Sequence, residues 1–583
     1  MTRLAFVAAL LCLAAAAAPS RAGTLPVVRG EFVVTDARKS SAPAGLLTTE
    51  DEMPARVLRL ADPTQAEWRA IEPSAPGGRR ATVGFGRDVG KQVAAGALAW
   101  SRVGEWRIAK LRVQSPGAKA IRVGLRVGAT RRPWSLRVAG SDDESKALGP
   151  AWHGGPLGRA DLHWTPVTEG DAQVIEIASP LDEPEPAVEV TTLSHLVTGP
   201  SSRFRKTIAH IGISGPCQVE LACVPDPPQA LLDAGKAVVH MVFTARSGIS
   251  YMCTGTMLND THPGTQVPYL FSSNHCFEAT SPPYNDAAQM QLVANTLNTY
   301  FFFDATACRS LVVPPFIQRF GGATFLYKHQ AQDILLVRLN DWAPAGTYLS
   351  GWDPNPLAAD VPVTMIHHPW GDLKMFATGT TGETGTLPRP LDAATGFRKV
   401  FYDQGSAEPG SSGASILTLS GGEYLVRGAL WGGSSSCVAT SFPDYFSRFE
   451  VAYPNLRPWL EATGLPDFDV TDLWWNAQES GWGLSLTQRP NGQVFAVWYT
   501  HAADSRPLWL AMSGGRWTTG RTFTGPLYRA SGPGYAQQPF DPGKVTLKEA
   551  GSLTLDFAGA DNGTVTWVVD GVQGTKAITR LPF

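Results

Sequence analysis

Gly410-Ser411-Ser412-Gly413 places two serines between two glycines, a pattern that suits a tight turn presenting Ser412 as a nucleophile. Two upstream segments carry the groups such a serine needs. His275 lies in a Ser-Asn-His-Cys segment, and Asp333 precedes Ile-Leu-Leu. A serine hydroxyl attacks a carbonyl at neutral pH only when an imidazole takes its proton and a carboxylate orients that imidazole. His275, Asp333 and Ser412 are therefore predicted to act as base, orienter and nucleophile.

The order of these residues along the chain indicates the fold. Two-barrel serine proteases use the order His, Asp, Ser, which subtilisins and α/β-hydrolases do not share. In such a site the N–H groups of Gly410 and Ser412 form the oxyanion hole, because glycines let the turn close without obstruction. A Gly-Ser-Ser-Gly segment alone would indicate an ordinary loop. The three segments together predict acyl transfer, which requires no metal or organic cofactor.

Composition limits the classes of partner. The 583 residues include 49 basic and 51 acidic side chains, a formal net charge of -2, so no global field attracts nucleic acid or an anionic membrane. Charged residues make up only 17%, whereas glycine (59), proline (45) and tryptophan (18) are plentiful, which is typical of turn-rich β domains. The chain is predicted to be mainly β, with three domains, and a monomer is expected.

Residues 1–22 have the features of a secretory signal peptide. Arg3 gives a positive start, an apolar run extends from Leu4 to Ala18, and Ser20-Arg21-Ala22 supplies small residues for cleavage. A membrane anchor is the alternative, but the run is too short to span a bilayer comfortably, and no later segment approaches about 20 apolar residues. The chain is therefore predicted to be secreted, either extracellular or periplasmic in transit.

The cysteines fit an exported chain. Of the seven, Cys12 lies in the signal peptide, and the other six lie between Cys217 and Cys437. An even number confined to one region predicts three disulfides. Zinc binding is the alternative, which the lack of a Cys-x-x-Cys pair disfavours. Spacing alone leaves the pairing open.

The pattern along the chain predicts three domains after the signal peptide. Residues 23–211 show period-two alternation, as in Ile121–Val127, which predicts half-buried strands of a β-sandwich acting as a pro-region or accessory domain. Residues 212–463 are enough for a chymotrypsin-like double β-barrel of two six-stranded barrels. A closing helix is expected over Ser447 to Leu460, broken by prolines.

Residues 467–583 are predicted to form a small all-β, tryptophan-rich module. Core packing is expected for most of its tryptophans, and the alternative is that exposed aromatics bind sugar or peptide surfaces. The seven tryptophans are Trp474, Trp475, Trp482, Trp498, Trp509, Trp517 and Trp567. The module also resembles one that recurs at the ends of exported proteobacterial proteins, which makes it a candidate for surface or substrate contact.

Several segments of the middle region resemble the secreted bacterial lysyl endopeptidases, a trypsin-like family of serine proteases. These segments are Gly212-Ile-Ser-Gly-Pro-Cys217, Cys253-Thr-Gly-Thr, Ser273-Asn-His-Cys276, Asp333-Ile-Leu-Leu, His367-His-Pro369, Glu408-Pro-Gly-Ser-Ser-Gly413 and Gly432-Gly-Ser-Ser-Ser-Cys437. The resemblance implies the same base, orienter and nucleophile as above. It also implies the disulfides Cys217 to Cys437, Cys223 to Cys308 and Cys253 to Cys276.

The resemblance further implies a substrate preference. The segment Pro443 to Arg448 is similar to the family segment whose aspartate lies at the bottom of the primary pocket, so Asp444 is expected to pair with a substrate cation. An unpaired buried carboxylate is costly, so cleavage after Lys, and secondarily after Arg, is expected. Trp431, which stands where family members commonly carry a histidine, and Gly432 are further substrate-binding candidates. The alternative for Asp444 is a surface cap on the terminal helix.

Three further features of the sequence bear on metal binding or on activation. His367, His368 and Asp372 could suggest a metal cluster, but neighbouring histidines in a strand point to opposite faces, so structural roles are expected. Ser411 stands where trypsin has an aspartate that pairs with a newly freed N-terminus, so that switch is not available here.

The basic cluster of Arg203, Arg205 and Lys206 before Gly212 suggests self-cleavage that releases the N-terminal domain of a zymogen, with a solvated linker as the alternative.

These observations predict a secreted serine endopeptidase that hydrolyses peptide bonds after basic residues through an acyl-enzyme. The alternative is a catalytically weak protease homologue that acts as a secreted binding or adhesion protein through its flanking β domains.

Overall fold

The computed structural model describes residues 25–34, 45–69, 71, 80–90, 98–104, 106–128, 133–154, 162–199, 214–261, 265–279, 282–310, 312, 314–387, 396–461, 468–488, 494–518, 520–534, 536, 538, 541 and 544–581. Within these ranges, no helix combines the length and apolar character needed to cross a bilayer. The protein is mainly β, with a double β-barrel between two all-β domains, as predicted.

The described residues of the N-terminal part form twelve strands and one short helix. They are β1 (Glu31–Phe32), β2 (Arg56–Arg59), α1 (Gln65–Arg69), β3 (Ala81–Asp88), β4 (Trp100–Val103), β5 (Trp106–Gln114), β6 (Ala120–Val127), β7 (Pro133–Gly140), β8 (Asp143–Gly154), β9 (Leu162–Trp164), β10 (Thr168–Glu169), β11 (Ala172–Pro180) and β12 (Val188–Leu196). One sheet has the order β2-β5-β11-β7-β8, with β4 beside β5, and the other contains β10-β6-β12-β3, with β9 beside β6. Leucine, valine and isoleucine side chains of both sheets form the core between them.

The sandwich differs from the sequence expectation in how deeply its strands are buried. Strand β11 is buried along its whole length, and β6 is buried except at Arg126. Arg122 of β6 is buried because it faces the protease domain, where its Nη1 donates a hydrogen bond to the Thr296 backbone oxygen (2.6 Å). Period-two alternation therefore identified these strands, but one polar face lies in an interface.

The protease domain follows. Its elements are β13 (Val219–Glu220), α2 (Gln229–Ala237), β14 (Val238–Thr244), β15 (Ser250–Leu258), β16 (Tyr269–Ser273), α3 (Asn274–Phe277), α4 (Ala287–Ala294), β17 (Asn298–Phe301), β18 (Ile317–Arg319), β19 (Ala323–His329), β20 (Ile334–Leu339), β21 (Tyr348–Leu349), β22 (Pro362–His367), β23 (Met375–Gly385), β24 (Phe397–Gln404), β25 (Ser415–Ser420), β26 (Glu423–Gly433), β27 (Asp444–Phe446) and α5 (Phe449–Leu460), with 3-10 turns at Leu221–Cys223 and Pro369–Gly371.

Two barrels can be traced from the strand pairing. The first runs β18-β17-β14-β15-β16-β20-β19, one strand more than expected. The second is a ring of six strands, β23-β22-β25-β26-β27-β24, closed by pairing between β24 and β23. The terminal helix α5 is continuous through Pro454 and Pro458, so the expectation that they break it is wrong. Its buried residues, including Phe449, Tyr453 and Leu456, hold it against the core.

The sandwich and the first barrel share one sheet. Strand β3 pairs with β15, so that Ser250 lies opposite Gly84 and Met252 opposite Ala81. One apolar cluster spans this junction and comprises Ala81, Val83, Ala120, Val167 and Leu196 from the sandwich and Val242, Met252, Tyr300, Phe303 and Leu373 from the protease domain. Because apolar burial contributes about 25 cal/mol per Å², each unit stabilises the other.

Residues 25–33, here called the N-terminal strap, lie along the connection between the barrels. Strand β1 pairs with β21, and Val28 and Trp352 exchange backbone hydrogen bonds (3.0 and 3.1 Å). The Arg29 side chain donates to the Ser420 backbone oxygen (3.0 Å). The first described residues are therefore built into the protease domain.

The C-terminal module is a closed ring of its own. Its strands are β28 (Asp472–Trp475), β29 (Gly483–Gln488), β30 (Val494–His501), β31 (Pro507–Met512), β32 (Arg516–Trp517), β33 (Thr522–Ser531), β34 (Thr546–Phe557), β35 (Asn562–Val569) and β36 (Val572–Arg580). The order β31-β30-β29-β28-β36-β35-β34-β33 closes because β33 pairs with β31. Trp474 and Trp498 are buried, Trp482, Trp517 and Trp567 pack against the core, and Trp509 is exposed. Core packing of most tryptophans is thus confirmed.

Candidate active site

Asp333 holds His275 at two points. Its Oδ1 accepts a hydrogen bond from the His275 backbone N–H (2.8 Å), and its Oδ2 lies 2.6 Å from Nδ1 of the imidazole. Asp333 is buried, and its φ of 52° lies in the left-handed region, immediately before β20. Among the described residues, Nε2 of His275 has no hydrogen-bond partner. The carboxylate therefore orients the ring and leaves Nε2 available for proton transfer.

Ser412 lies in the turn between β24 and β25. Gly410 and Gly413 have φ values of 96° and 84°, which favour glycine. A Cβ at Gly413 would lie 2.0 Å from Ser272 Oγ, and one at Gly410 would lie 2.9 Å from the His368 backbone oxygen. Both flanking glycines are therefore required by the backbone of this turn.

Strand β15 brings the turn that carries Ser412 next to α3, the helix that carries His275. Cys253 forms a disulfide with Cys276, the residue after His275. Its neighbour Thr254 donates its backbone N–H to the Ser412 backbone oxygen (2.8 Å), and the Cys276 sulfur lies 3.9 Å from the same oxygen. The three segments combined in the sequence prediction are thus adjacent, one from the second barrel and two from the first.

Asp444 is a buried carboxylate at the start of β27. It accepts hydrogen bonds from the Ser435 hydroxyl (2.7 Å) and the Ser435 N–H (3.3 Å). Burial raises the pKa of Asp444, and hydrogen bonds from Ser435 and Tyr402 oppose that shift. In the described part of the chain, no lysine or arginine pairs with it. The surface-cap alternative is wrong, because Asp444 is 1% exposed and the residue preceding α5 is Arg448.

Trp431 and Gly432 lie on strand β26, which pairs with β27, the strand that carries Asp444. Gly433 pairs with Asp444, and a Cβ at Gly433 would lie 2.2 Å from Asp444 Oδ1, so only glycine fits there. Gly432 pairs with Tyr445 and has a φ of 133°. Trp431 is buried, with its ring centroid 6.3 Å from that of Tyr445. The backbone at Gly432 and Gly433, beside the Asp444 carboxylate, therefore carries no side chain, and the Trp431 ring lies next to it.

The two neighbouring histidines contact different groups. Nδ1 of His367 lies 2.7 Å from Ser411 Oγ, whereas Nδ1 of His368 lies 3.0 Å from the Asp372 backbone oxygen. Burial lowers the pKa of His367 to about 3 and that of His368 well below its usual value, so both rings are neutral. The contacts of both histidines are structural. Ser411, which stands where trypsin has an aspartate, bonds to His367.

The disulfides follow the pairing implied by the family resemblance. Cys217 bonds to Cys437, Cys223 to Cys308 and Cys253 to Cys276. The predicted signal peptide with Cys12, and the basic cluster Arg203, Arg205 and Lys206, lie outside the described residues.

Sequence reasoning missed several residues of this site. Ser435 and Gly433 lie within the Gly432–Cys437 segment, so the family resemblance could have indicated them. Tyr402 had no signal beyond its place in a strand. Arg80 donates to the backbone oxygens of His275, Cys276 and Glu278, although nothing in its local sequence marks it.

Two barrels, with His275 and Asp333 on the first and the glycine-flanked Ser412 on the second, define the two-barrel class of serine endopeptidases, and the protein is an enzyme of that class. Residues 58–197 match the family profile described as "Lysyl endopeptidase N-terminal domain", and residues 211–447 match "Lysyl endopeptidase, C-terminal domain". The chain belongs to the lysyl endopeptidase-like proteases.

One curated relative agrees with this assignment. The chain is 29% identical over 479 residues to a lysyl endopeptidase of Pseudomonas aeruginosa strain PAO1, covering 78% of this chain and 99% of that protein. Among solved structures, it is similar to the Rv3671c protease of M. tuberculosis. The inactive form has 14% identity and a TM-score of 0.26, covering 40% of this chain and 96% of that one. The active form has 17% identity and a TM-score of 0.27, covering 42% and 92%. Neither of these scores bears on the assignment.

Proposed function

We propose that the protein is a secreted serine endopeptidase that cleaves peptide bonds after lysine, and secondarily after arginine, through an acyl-enzyme. The observation that carries this proposal is the paired Asp333 and His275 beside the glycine-flanked turn of Ser412. The family assignment supports peptide substrates, and the buried carboxylate of Asp444 supports a cationic side chain at the cleavage position.

The proposed reaction assigns one role to each group. Ser412 Oγ attacks the peptide carbonyl while Nε2 of His275 takes its proton. The imidazolium that forms is stabilised by Asp333 and then returns the proton to the leaving amine. N–H groups of Gly410 and Ser412 stabilise the oxyanion. Water then hydrolyses the acyl-enzyme by the same route, with His275 again as base.

Asp444 is the proposed specificity residue. A carboxylate buried without a cation destabilises the empty pocket, and a lysine ammonium supplies the missing charge. A neutral side chain of the same length leaves the charge unpaired, so it is rejected in binding and in the transition state. Trp431 and Gly432 are the proposed contacts for the aliphatic part of the side chain and for the substrate backbone.

We also propose export through residues 1–22, a zymogen role for the N-terminal sandwich, and surface or substrate contact for the C-terminal module. The three disulfides support an oxidising compartment outside the cytoplasm.

A fluorophosphonate label tests the proposed nucleophile. Wild-type protein should be modified at Ser412, and both Ser412→Ala and His275→Ala should lose the label. Ser420→Ala, which removes an exposed hydroxyl of the same barrel, is the matched control and should label normally. Labelling of Ser412→Ala equal to the control would contradict the proposal and favour the binding-protein alternative.

Peptides that differ only in lysine, arginine or norleucine before the cleaved bond test the pocket. Asp444→Asn should lower kcat/KM for the lysyl peptide by about 100-fold or more, because loss of a buried ion pair costs roughly 3–5 kcal/mol. The norleucyl peptide should be affected little. Asp403→Asn, an exposed neighbour of Tyr402, is the control and should leave the preference unchanged. An unchanged lysine preference in Asp444→Asn would refute the pocket assignment.

A further inference from the structure

Thr254 of strand β15 holds the Ser412 turn (residues 409–414) at two points. Its hydroxyl donates a hydrogen bond to the Gly410 backbone oxygen (2.9 Å), and its backbone N–H donates to the Ser412 backbone oxygen (2.8 Å). The same hydroxyl accepts a hydrogen bond from the backbone N–H of His368, which follows β22 (3.1 Å). Thr254 is fully buried. One side chain of the first barrel therefore links two segments of the second barrel.

The backbone oxygens of the Ser412 turn can be assigned to donors one by one. The four pairs are Pro409 with the Trp370 N–H (2.6 Å), Gly410 with the Thr254 hydroxyl (2.9 Å), Ser411 with the Ala414 N–H (2.9 Å) and Ser412 with the Thr254 N–H (2.8 Å). Three of these donors are backbone N–H groups, which any residue except proline supplies. Of the four bonds, the one to the Gly410 oxygen alone depends on a side chain.

The peptide group between Gly410 and Ser411 lies between the two proposed oxyanion donors, the N–H groups of Gly410 and Ser412. The orientation of this peptide group therefore sets the angle between the donors. Gly410 has a φ of 96°, and glycine lacks the Cβ that restricts rotation about the backbone bonds of other residues. A buried carbonyl without a donor is costly, so the Thr254 hydroxyl favours the one orientation in which the Gly410 oxygen is bonded.

We infer that Thr254 is a positioning residue for the reaction, whose hydroxyl fixes the Gly410 peptide group so that both N–H groups converge on the oxyanion. The inference rests on the proposed function. Loss of an oxyanion donor slows acyl transfer by roughly 100- to 1000-fold, and misplacing a reacting group by about 1 Å slows a reaction by roughly 100-fold. Asp444 lies on β27, which does not pair with β15, so loss of the hydroxyl should slow catalysis and leave substrate binding almost unchanged.

Strand β15 supplies a matched control two residues further on. Thr256 is 1% exposed, and within the described part of the chain its hydroxyl has no hydrogen-bond partner. Thr254→Val and Thr256→Val exchange a hydroxyl for a methyl group at buried positions on the same face of one strand. The first change removes a donor to the Ser412 turn, and the second does not. Thr254→Ser keeps the hydroxyl and removes the methyl group.

The test compares these three variants with the wild type as full chains. Each is first incubated with immobilised wild-type protein and then separated from it, so that any cleavage of the N-terminal part is equal in all four. The rate of labelling by a fluorescent fluorophosphonate is measured on gel bands of equal length. The values of kcat and KM for a lysyl peptide and the unfolding temperature are measured alongside.

Thr254→Val should label and turn over about 10- to 100-fold more slowly than Thr256→Val, with KM within about twofold. Thr254→Ser should recover the rate to within about threefold of the wild type, because serine has the same donor and acceptor. A purely structural role would lower the unfolding temperature and leave kcat per labelled site unchanged. Equal values of kcat for folded Thr254→Val and Thr256→Val overturn the inference, and so does a Thr254→Ser that is as slow as Thr254→Val.

If Thr254→Val does not fold, Thr254→Ala takes its place and is compared with Thr254→Ser. A rate for the alanine variant at least about 10-fold lower supports the inference, and equal rates overturn it. If neither variant folds while Thr256→Val does, the hydroxyl serves the stability of the fold and the inference is overturned. Failure of the wild type to label would refute the proposed function and the inference with it, whereas failure of the inference alone leaves the wild type labelled.

Discussion

The two domains that flank the protease are attached to it in different ways. The N-terminal sandwich continues the sheet of the first barrel through β3 and β15, shares an apolar cluster with it, and contributes Arg80, whose side chain donates to the His275 backbone oxygen. The C-terminal module closes its own ring around its own core, and none of its described strands pairs with a strand outside it. The position of a flanking domain in the sequence therefore does not show whether its stability depends on the protease domain. The sandwich belongs to the folding unit of the protease, whereas the module is separate.

Deleting each domain should give the largest contrast. Removal of residues 45–197, which spares the N-terminal strap, should abolish recovery of folded, active enzyme, because β15 loses its partner strand and the shared cluster is exposed to water. Removal of residues 468–583 should leave peptide hydrolysis and the unfolding temperature of the protease almost unchanged. The measurement is the yield of soluble chain and its kcat/KM for a lysyl peptide. Full activity after the first deletion would show that the shared sheet is dispensable.

Truncating the core of the module should test its separateness. Trp474 is buried, and its Nε1 donates to the Val470 backbone oxygen (2.9 Å), so Trp474→Ala should destabilise the module by about 3–5 kcal/mol. Calorimetry should show one transition moving to lower temperature while activity stays at the wild-type value. Trp509→Ala, at an exposed position of the same ring, is the control and should move neither. A parallel loss of activity would argue against an independent module.

Two leucines of β12 can sharpen the comparison within the sandwich. Leu196 lies in the cluster shared with the protease, whereas Leu193 lies in the core between the two sheets of the sandwich. Each change to alanine should cost about 2–5 kcal/mol. Hydrogen exchange should show faster opening of β14 and β15 in Leu196→Ala than in Leu193→Ala. Identical exchange in those strands would mean that the two cores contribute equally to the stability of β14 and β15.

Acid should weaken the joined unit through its buried histidines. Burial lowers the pKa of His195 in the sandwich to about 4 and that of His240 in the first barrel to about 3. Both pKa values are about 6.5 in the unfolded chain, so this stability is present above pH 6.5 and is lost as pH falls toward 4. Each histidine contributes about 1.4 kcal/mol per pH unit in that window.

Denaturant titrations at pH 7 and pH 5 measure this effect. His240→Phe keeps an aromatic ring beside Tyr300 and Phe303 and should reduce the pH dependence of the free energy of unfolding. The same slope in wild type and variant would rule out His240 as a contributor.

Local sequence patterns were sufficient for much of the fold. Period-two alternation located β6, and the abundance of glycine, proline and tryptophan indicated a mainly β chain. The merging of sandwich and barrel was not predictable, because the pairing of Ser250 with Gly84 joins segments remote in sequence and leaves no local period. The prediction that prolines break α5 was wrong for a related reason. Tertiary burial of Phe449 and Leu456 outweighed the local cost of Pro454 in the helix.

The prediction of the site rested on chemical roles that demand particular residue types. The requirement for a base, an orienter and a flexible turn pointed to His275, Asp333 and the glycines beside Ser412. The disulfide pairing and the expected pocket role of Asp444 were implied by the family resemblance. The spacing of these residues in the sequence determines neither. Arg80 acts on backbone oxygens, which any sequence supplies, so no pattern of residue types could have marked it as part of the site.

The N-terminal strap has a consequence for biosynthesis. The Leu25 N–H bonds to the side chain of Asn355, 330 positions along the chain, and Val28 bonds to Trp352. A ribosome makes the strap well before its partner strand, so the strap stays unpaired while the residues between them are translated. Its apolar residues Val28, Phe32 and Val33 would meanwhile be open to a chaperone, and seating the strap would be among the final steps of folding.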